Sequence, residues 1–263
     1  MRRMWSLLFM ASLLLAALPA SSQDPTDVPH ARDFGARETI SSIFISPLPN
    51  APFQATVTTE WTKYLPDGTT ITRRNRRLVV RDGKGRIYQE RRRLDPVDGT
   101  RQTMLLRIEI SDPIAHTKYF CDPNLSTCEL RSYDIPANAL VASAEEFNAD
   151  TPVNRASLGT KVIDGLETTG TRESVSMPAG MIGNSAAMES TKEFWYSKQL
   201  GLNLQVTRLD PVHGDQFFAV TNLKLGEPDA RLFVLPATTR VTDLRTPPAT
   251  TPNPANAASS KPQ

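Results

Sequence analysis

The stretch that decides the fold runs from residue 53 to residue 94. It reads Phe53-Gln54-Ala55-Thr56-Val57-Thr58-Thr59-Glu60-Trp61-Thr62-Lys63-Tyr64, then Leu65-Pro66-Asp67-Gly68, then Thr69 to Val80, then Asp82-Gly83-Lys84-Gly85, then Arg86 to Leu94. Phe53, Ala55 and Val57 alternate with Gln54, Thr56 and Thr58, the period of two expected of a strand with one buried face. Leu65-Pro66-Asp67-Gly68 reads as a tight reversal, because Pro presets its φ and Gly permits positive φ. Asp82-Gly83-Lys84-Gly85 repeats the device. Three strands joined by two tight turns pair antiparallel with their neighbours.

The same period continues outward. Strand-like runs follow at Thr103 to Ile110, Ile114 to Cys121, Cys128 to Tyr133, Leu158 to Ile163, Leu166 to Val175, Lys192 to Ser197, Leu202 to Leu209 and Gln216 to Leu223. Asp164-Gly165 and Leu200-Gly201 punctuate the later ones. Eleven strands at hairpin spacing predict a mainly β fold, a curved antiparallel sheet or half-barrel, with one or two minor helices. One segment breaks the period: Leu140, Val141, Ala144 and Phe147 recur at helical spacing between Pro136 and Pro152, which predicts a helix of three turns over 137–148 laid on the sheet. Arg93-Leu94-Asp95-Pro96-Val97-Asp98-Gly99 recurs as Arg208-Leu209-Asp210-Pro211-Val212-His213-Gly214, with a third variant at Ser111-Asp112-Pro113-Ile114. Either a domain duplication or recurrent use of one turn chemistry produces such an echo. In each copy Asp is placed to cap the turn through its side chain.

The chain has 263 residues, 39% hydrophobic and 22% charged, with 21 Pro and 13 Gly. That supports one sizeable core and excludes a disulfide-stapled miniprotein, a collagen-like fibre and a wholly disordered chain. Arg2 and Arg3, an uncharged run from Met4 to Leu18, and Ala20, Ser21 and Ser22 after Pro19 have the order of a secretory signal peptide over residues 1–22, cut after Ser22 or Ala20. The run is shorter than the ~20 residues of a membrane-spanning helix. Residues 23–52 read as a loosely ordered leader that docks by Ile43 to Ile45, 53–245 as the β-rich domain, and 246–263, with five prolines, as a disordered tail. The expected location is periplasmic or extracellular. Removing Arg2 and Arg3 with the signal brings the 30 basic residues down to 28, equal to the 28 acidic ones. What remains is polarised: residues 61–101 hold twelve Lys and Arg against five acids.

No catalytic constellation is legible. Gly-x-Ser-x-Gly, His-Glu-x-x-His and a phosphate-cradling glycine loop are absent, so neither an enzyme, a metal nor a cofactor is expected. Of the three histidines, His30 lies in the leader, and His116 and His213 sit beside Asp-Pro turns. For those two the alternative to plain surface turn residues is a shared metal or, with carboxylates, a hydrolase site. Cys121 and Cys128 flank six residues; in an exported chain such a pair reads as a hairpin disulfide, with redox and zinc chemistry as the alternatives. Arg73, Arg74, Arg76, Arg77 and Arg91, Arg92, Arg93 lie on two successive strands. Of these, Arg74, Arg76, Arg91 and Arg93 are the candidates for holding an anionic group bidentately; the bland alternative is a solvated pair whose charges oppose edge aggregation. Nucleic acid is not the expected partner, since aromatic interleaving is sparse and export removes the usual targets.

Pro52-Phe53-Gln54-Ala55, Leu65-Pro66-Asp67-Gly68, Arg81 to Arg86, Ser111-Asp112-Pro113-Ile114, Leu158 to Gly165, Met177-Pro178-Ala179-Gly180 and Glu227-Pro228-Asp229 together resemble a family of uncharacterised exported bacterial β-rich proteins over most of residues 52–241. Glu193-Phe194-Trp195-Tyr196, Leu202-Asn203-Leu204, Asp210 to Gly214, Thr221-Asn222-Leu223 and Phe233-Val234-Leu235-Pro236 resemble the C-terminal half of LolA/LolB-type lipoprotein carriers and their RseB-like relatives. The second resemblance implies an incomplete antiparallel barrel that wraps helices and offers a concave apolar surface to acyl chains. The chain departs from that group in its Cys pair, its Arg-rich second and third strands and its single expected helix. On this reading the partner is a lipid or lipoprotein acyl chain, bound without catalysis, with Phe53, Val57, Trp61, Leu106, Trp195, Leu204 and Phe218 as wall candidates. The alternative is an envelope sensor or scaffold that docks an anionic polymer or a partner protein through the Arg-rich strand pair.

Overall fold

The computed structural model describes residues 42–96, 101–134 and 152–245. The expected signal peptide over 1–22, the expected helix over 137–148 and the expected disordered tail over 246–263 lie outside the described residues. All eleven predicted strands are present: β1 (Phe53–Tyr64), β2 (Thr70–Arg81), β3 (Ile87–Arg92), β4 (Leu105–Asp112), β5 (Thr117–Asp122), β6 (Thr127–Ser132), β7 (Asn154–Ile163), β8 (Leu166–Met177), β9 (Met188–Ser197), β10 (Leu202–Leu209) and β11 (Asp215–Leu225). A twelfth, β12 (Arg240–Asp243), follows a single 3-10 turn at Ala230–Phe233. They form one open sheet in the order β12-β6-β5-β4-β3-β2-β1-β11-β10-β9-β8-β7.

The sheet is two meanders joined in the middle. Strands β1 to β6 pair successively, as do β7 to β11, and β1 pairs antiparallel with β11 from Phe53↔Leu225 to Thr62↔Asp215. Turn chemistry sets the reversals within each meander. Asp112 Oδ1 accepts from the amides of Ile114 and Ala115, Asp122 Oδ1 from Asn124 and Leu125, and Asp210 Oδ1 from Val212 and His213. In its copies at 111–114 and 208–214 the Asp-Pro echo is a turn device, used again at Asp122-Pro123. The copy at 93–99 runs into residues 97–100, outside the described residues. Gly85 combines φ +82 with an approach so close that a Cβ there would sit 2.6 Å from the Pro47 carbonyl oxygen.

Alternation and register divide the side chains between two faces. On the front face Phe53, Ala55, Val57, Val79, Ile87, Leu204, Val206, Phe194, Phe218 and Val220 form the larger core, and Ile43 and Ile45 from the segment before β1 are buried in it. Arg81 is fully buried beside them. Its guanidinium donates to the carbonyls of Ala51 (2.9 and 2.7 Å), Ser46 (2.6 Å) and Leu200 (2.8 Å), and it lies 4.9 Å from the Phe53 ring centre. One side chain thus ties the incoming segment, β2 and the β9–β10 turn together. On the back face a smaller core of Val80, Tyr88 and Ile110 is covered by Phe233, with Leu232 and Leu235 beside it. The chain after β11 crosses this face, Asp229 caps its 3-10 turn by accepting from the Arg231 amide, and β12 then adds parallel to β6 from Arg240↔Thr127 to Asp243↔Leu130. That parallel edge pair is the departure from the antiparallel expectation. A long crossover permits it where a tight turn does not.

Candidate functional site

The register fixes which side chains share the front face: Asn75, Arg77, Val79 and Arg81 of β2; Ile87, Gln89 and Arg91 of β3; Arg107, Glu109 and Ser111 of β4; Lys118 and Phe120 of β5; Glu129 and Arg131 of β6. The face changes character from apolar, around β1, β11 and β10, to charged, across β3 to β6.

Glu109 is the hub of the charged half, with 1% of its surface exposed. Its carboxylate accepts from Arg91 Nε (2.9 Å) and Nη2 (3.2 Å), Arg107 Nη2 (2.7 Å) and Gln89 Nε2 (3.0 Å), and pairs with Lys118 Nζ at 3.1 Å. Burial by itself would raise this carboxyl; the hydrogen bonds and charges of Arg91 and Lys118 outweigh it and bring it down to about 2. Arg77 lies behind, donating to Gln89 Oε1 (3.1 Å) and Ser42 Oγ (2.6 Å), both neutral. Burial, with Arg91 beside it, lowers its pKa to about 9. Around Phe120, Lys118 Nζ stands 4.8 Å, Arg107 Cζ 4.9 Å and Arg131 Cζ 5.3 Å from the ring centre. Three acceptors on the same face, Asn75 Oδ1, Gln216 Oε1 and Glu173 Oε2, are buried without a hydrogen-bond partner.

Of the wall candidates, Phe53, Val57, Leu204 and Phe218 meet in the front core, across which Ile43 and Ile45 lie. Trp61 shares that face and donates its indole N–H to the His213 carbonyl at 2.9 Å. Trp195 faces the back, closely against Gly170, with Lys161 Nζ 3.8 Å from its ring centre. Leu106, at the register shift between β3 and β4, is 46% exposed. Of the four arginines, Arg74 points to the back and pairs with Glu60 at 2.5 Å, and Arg76 shares that side. Arg91 points to the front onto Glu109, and Arg93, past the end of β3, pairs with Asp95 at 2.5 Å. Alternation sends them to opposite faces. Arg91 meets Arg107 and Lys118 at Glu109; those two, and Arg131 beside them, lie outside the Arg-rich stretch. Their signal in the sequence is the charge alternation Arg107-x-Glu109, Lys118-x-Phe120 and Glu129-x-Arg131 in three consecutive strands.

Cys121 and Cys128 stand directly opposite each other on β5 and β6 and are joined in a disulfide, the state favoured outside a reducing compartment. His213 Nδ1 lies 3.1 Å from Asp210 within the β10–β11 turn, while His116 belongs to the β4–β5 turn. Among the described residues no three His, Cys, Asp or Glu gather to hold a metal ion. A half-open cleft of about 270 Å³ lies between Lys63, Tyr64, Glu189 and the Asp210–Asp215 turn, where the Tyr64 hydroxyl donates to Asp215 Oδ2 at 3.0 Å.

These features define an open β-sheet with an amphipathic front face. No protein-family model matches the chain, and no curated protein matches it. Solved structures do. A LolA superfamily protein from Nitrosomonas europaea is 13% identical, covers 71% of this chain and 91% of its own, and gives a TM-score of 0.30. MucB is 16% identical over 73% of this chain and 59% of its own, with a TM-score of 0.30. The lipoprotein LppX of Mycobacterium tuberculosis is 17% identical over 68% and 88%, with a TM-score of 0.24. The first of these carries the name of the LolA superfamily, the group that stretches of the sequence resemble. The likeness is remote, and the account of the sheet stands without it.

Proposed function

We propose that this is an exported, non-catalytic protein that holds an amphipathic ligand, a lipid or acyl chain, against the front face of its sheet. One observation carries the reading: a continuous apolar floor (Phe53, Val57, Val79, Leu204, Phe218) borders a band of cations (Arg77, Arg91, Arg107, Lys118, Arg131) on the same face. A ligand with an apolar chain and a polar head meets both at once, the chain gaining by area removed from water and the head by charge-assisted hydrogen bonds. The buried acceptors Asn75 Oδ1 and Gln216 Oε1 offer further partners to a ligand's hydroxyl groups. The floor residues are at most 2% exposed and Ile43 and Ile45 are buried among them, so a chain entering there displaces that segment. The disulfide and the N-terminal signal pattern both support export.

Protein purified from its native host is expected to release a co-purifying lipid on solvent extraction and to show the matching mass increment in native mass spectrometry. Recovery of bare protein in both measurements rejects the reading.

A further inference from the structure

The cations of β3 to β6 are arranged in a way that fold stability does not call for. Arg91 and Arg107 are direct cross-strand partners on the front face, and so are Lys118 and Arg131. Like charges placed directly opposite each other in an antiparallel pair are destabilising. Two such pairs lie on one face, on the β3–β4 and β5–β6 ladders either side of the β4–β5 ladder. Between them stand two carboxylates, Glu109 and Glu129, and Glu109 is shared by Arg91, Arg107 and Lys118 together. Glu129 pairs with Arg131 at 2.6 Å. Asp122, at the end of β5 on the same face, is a third carboxylate, its Oδ1 engaged by the turn amides of Asn124 and Leu125. Four cations against three carboxylates leave a surplus of one positive charge, with the buried Arg77 adding a second behind them. A strand pair charged only to stay soluble would mix signs across the ladder.

The half-buried Phe120 gives this surplus a floor. Arg107, Lys118 and Arg131 surround its ring, and the side chains of Arg107 and Arg131 remain 47% and 54% exposed. Each guanidinium spends part of its five-donor fork on a carboxylate and keeps the rest for solvent. Planar forks converging from two strands, over an apolar ring that keeps water off one side, match the oxygens of a phosphate or carboxylate.

We infer that Arg107, Lys118 and Arg131, set around Phe120 on β4, β5 and β6, form an oxyanion-binding site that receives the anionic group of the ligand. The inference rests on the amphipathic reading and deepens it by assigning the head-group position. It places that position away from Arg74, Arg76 and Arg93. The shared chemistry is a tetrahedral or planar oxyanion, carried by a lipid head group or free in solution.

The test is titration calorimetry on the full chain with three probes: dodecyl phosphate, inorganic phosphate and the neutral amphiphile dodecyl maltoside. It compares the natural protein with the double variant Arg107→Gln, Arg131→Gln. Both side chains are half exposed, so the variant keeps the Glu109 hub with Arg91 and Lys118, and an unchanged thermal midpoint checks its folding. Removing two charged donors from the oxyanion predicts a weakening of dodecyl phosphate binding by at least about tenfold, with dodecyl maltoside unaffected. Equal dodecyl phosphate affinity in both proteins overturns the oxyanion site and leaves the amphipathic reading in place. Binding of inorganic phosphate that disappears in the variant, with neither amphiphile bound, supports the site and rejects the amphipathic reading. No binding of any probe to the natural protein overturns both.

Discussion

At the scale of single residues, Arg81 shows how a charge becomes a structural part. Its whole side chain is out of water, yet its guanidinium faces three backbone carbonyls, two from the segment before β1 and one from the β9–β10 turn, and an aromatic ring. Burial lowers its pKa to about 10, which leaves it charged at neutral pH. Removing it strands those carbonyls in the core, so Arg81→Met is expected to cost about 3 kcal/mol or more in urea unfolding followed by tryptophan fluorescence. Arg81→Lys, with three donors on a single nitrogen, cannot span the same carbonyls and should recover only part of the loss. Full stability in either variant would show that the carbonyls find other partners. The arginine-rich stretch was legible in the sequence. That Arg81 and Arg77 turn inward while Arg74 turns to the back was not readable from composition, because only the ladder register assigns faces.

At the scale of elements, the turns carry most of the information. Asp-Pro and Gly-containing reversals marked the junctions β1–β2, β2–β3, β4–β5, β7–β8, β9–β10 and β10–β11, because Asp side chains bond the amides that follow and Gly takes positive φ without penalty. The Asp122–Ser126 turn shows the same chemistry reinforced by a covalent link. The disulfide closes a loop of eight residues across β5 and β6, directly beside the Phe120↔Glu129 pair. Chain entropy alone makes that link worth about 2.5 kcal/mol. The Cys121→Ser, Cys128→Ser protein should therefore unfold at lower urea with an unchanged denaturant dependence, and a stability equal to the natural protein would remove the link from the account. Strand β12 escaped notice: four residues paired parallel to β6 leave no alternation to detect, and all four are exposed.

At the scale of the molecule, the joint between β1 and β11 decides the architecture. Either meander alone exposes a long edge, β1 of the first or β11 of the second. Their pairing buries both edges and brings Phe53, Val57, Phe218 and Val220 into one core. Hydrogen exchange should follow this arrangement. Amides of β1, β2, β10 and β11 are expected to exchange slowest, and those of β7, an edge strand exposed along most of its length, to exchange among the fastest. Equal protection of β7 and β1 would mean that the joint is not the most stable part of the sheet.

Local rules were enough to derive eleven strands, most of the reversals, the cysteine pair and the polarised charge from the chain alone. Period and turn chemistry act over fewer than ten residues and are written where they act. Three features came only from the tertiary structure: the union of two meanders through β1 and β11, the crossing of the chain over the back face to reach β6, and the gathering of Arg107, Lys118 and Arg131 around Phe120. Each depends on contacts between residues far apart in the chain, or on a register whose slip by one residue would send every side chain to the other face.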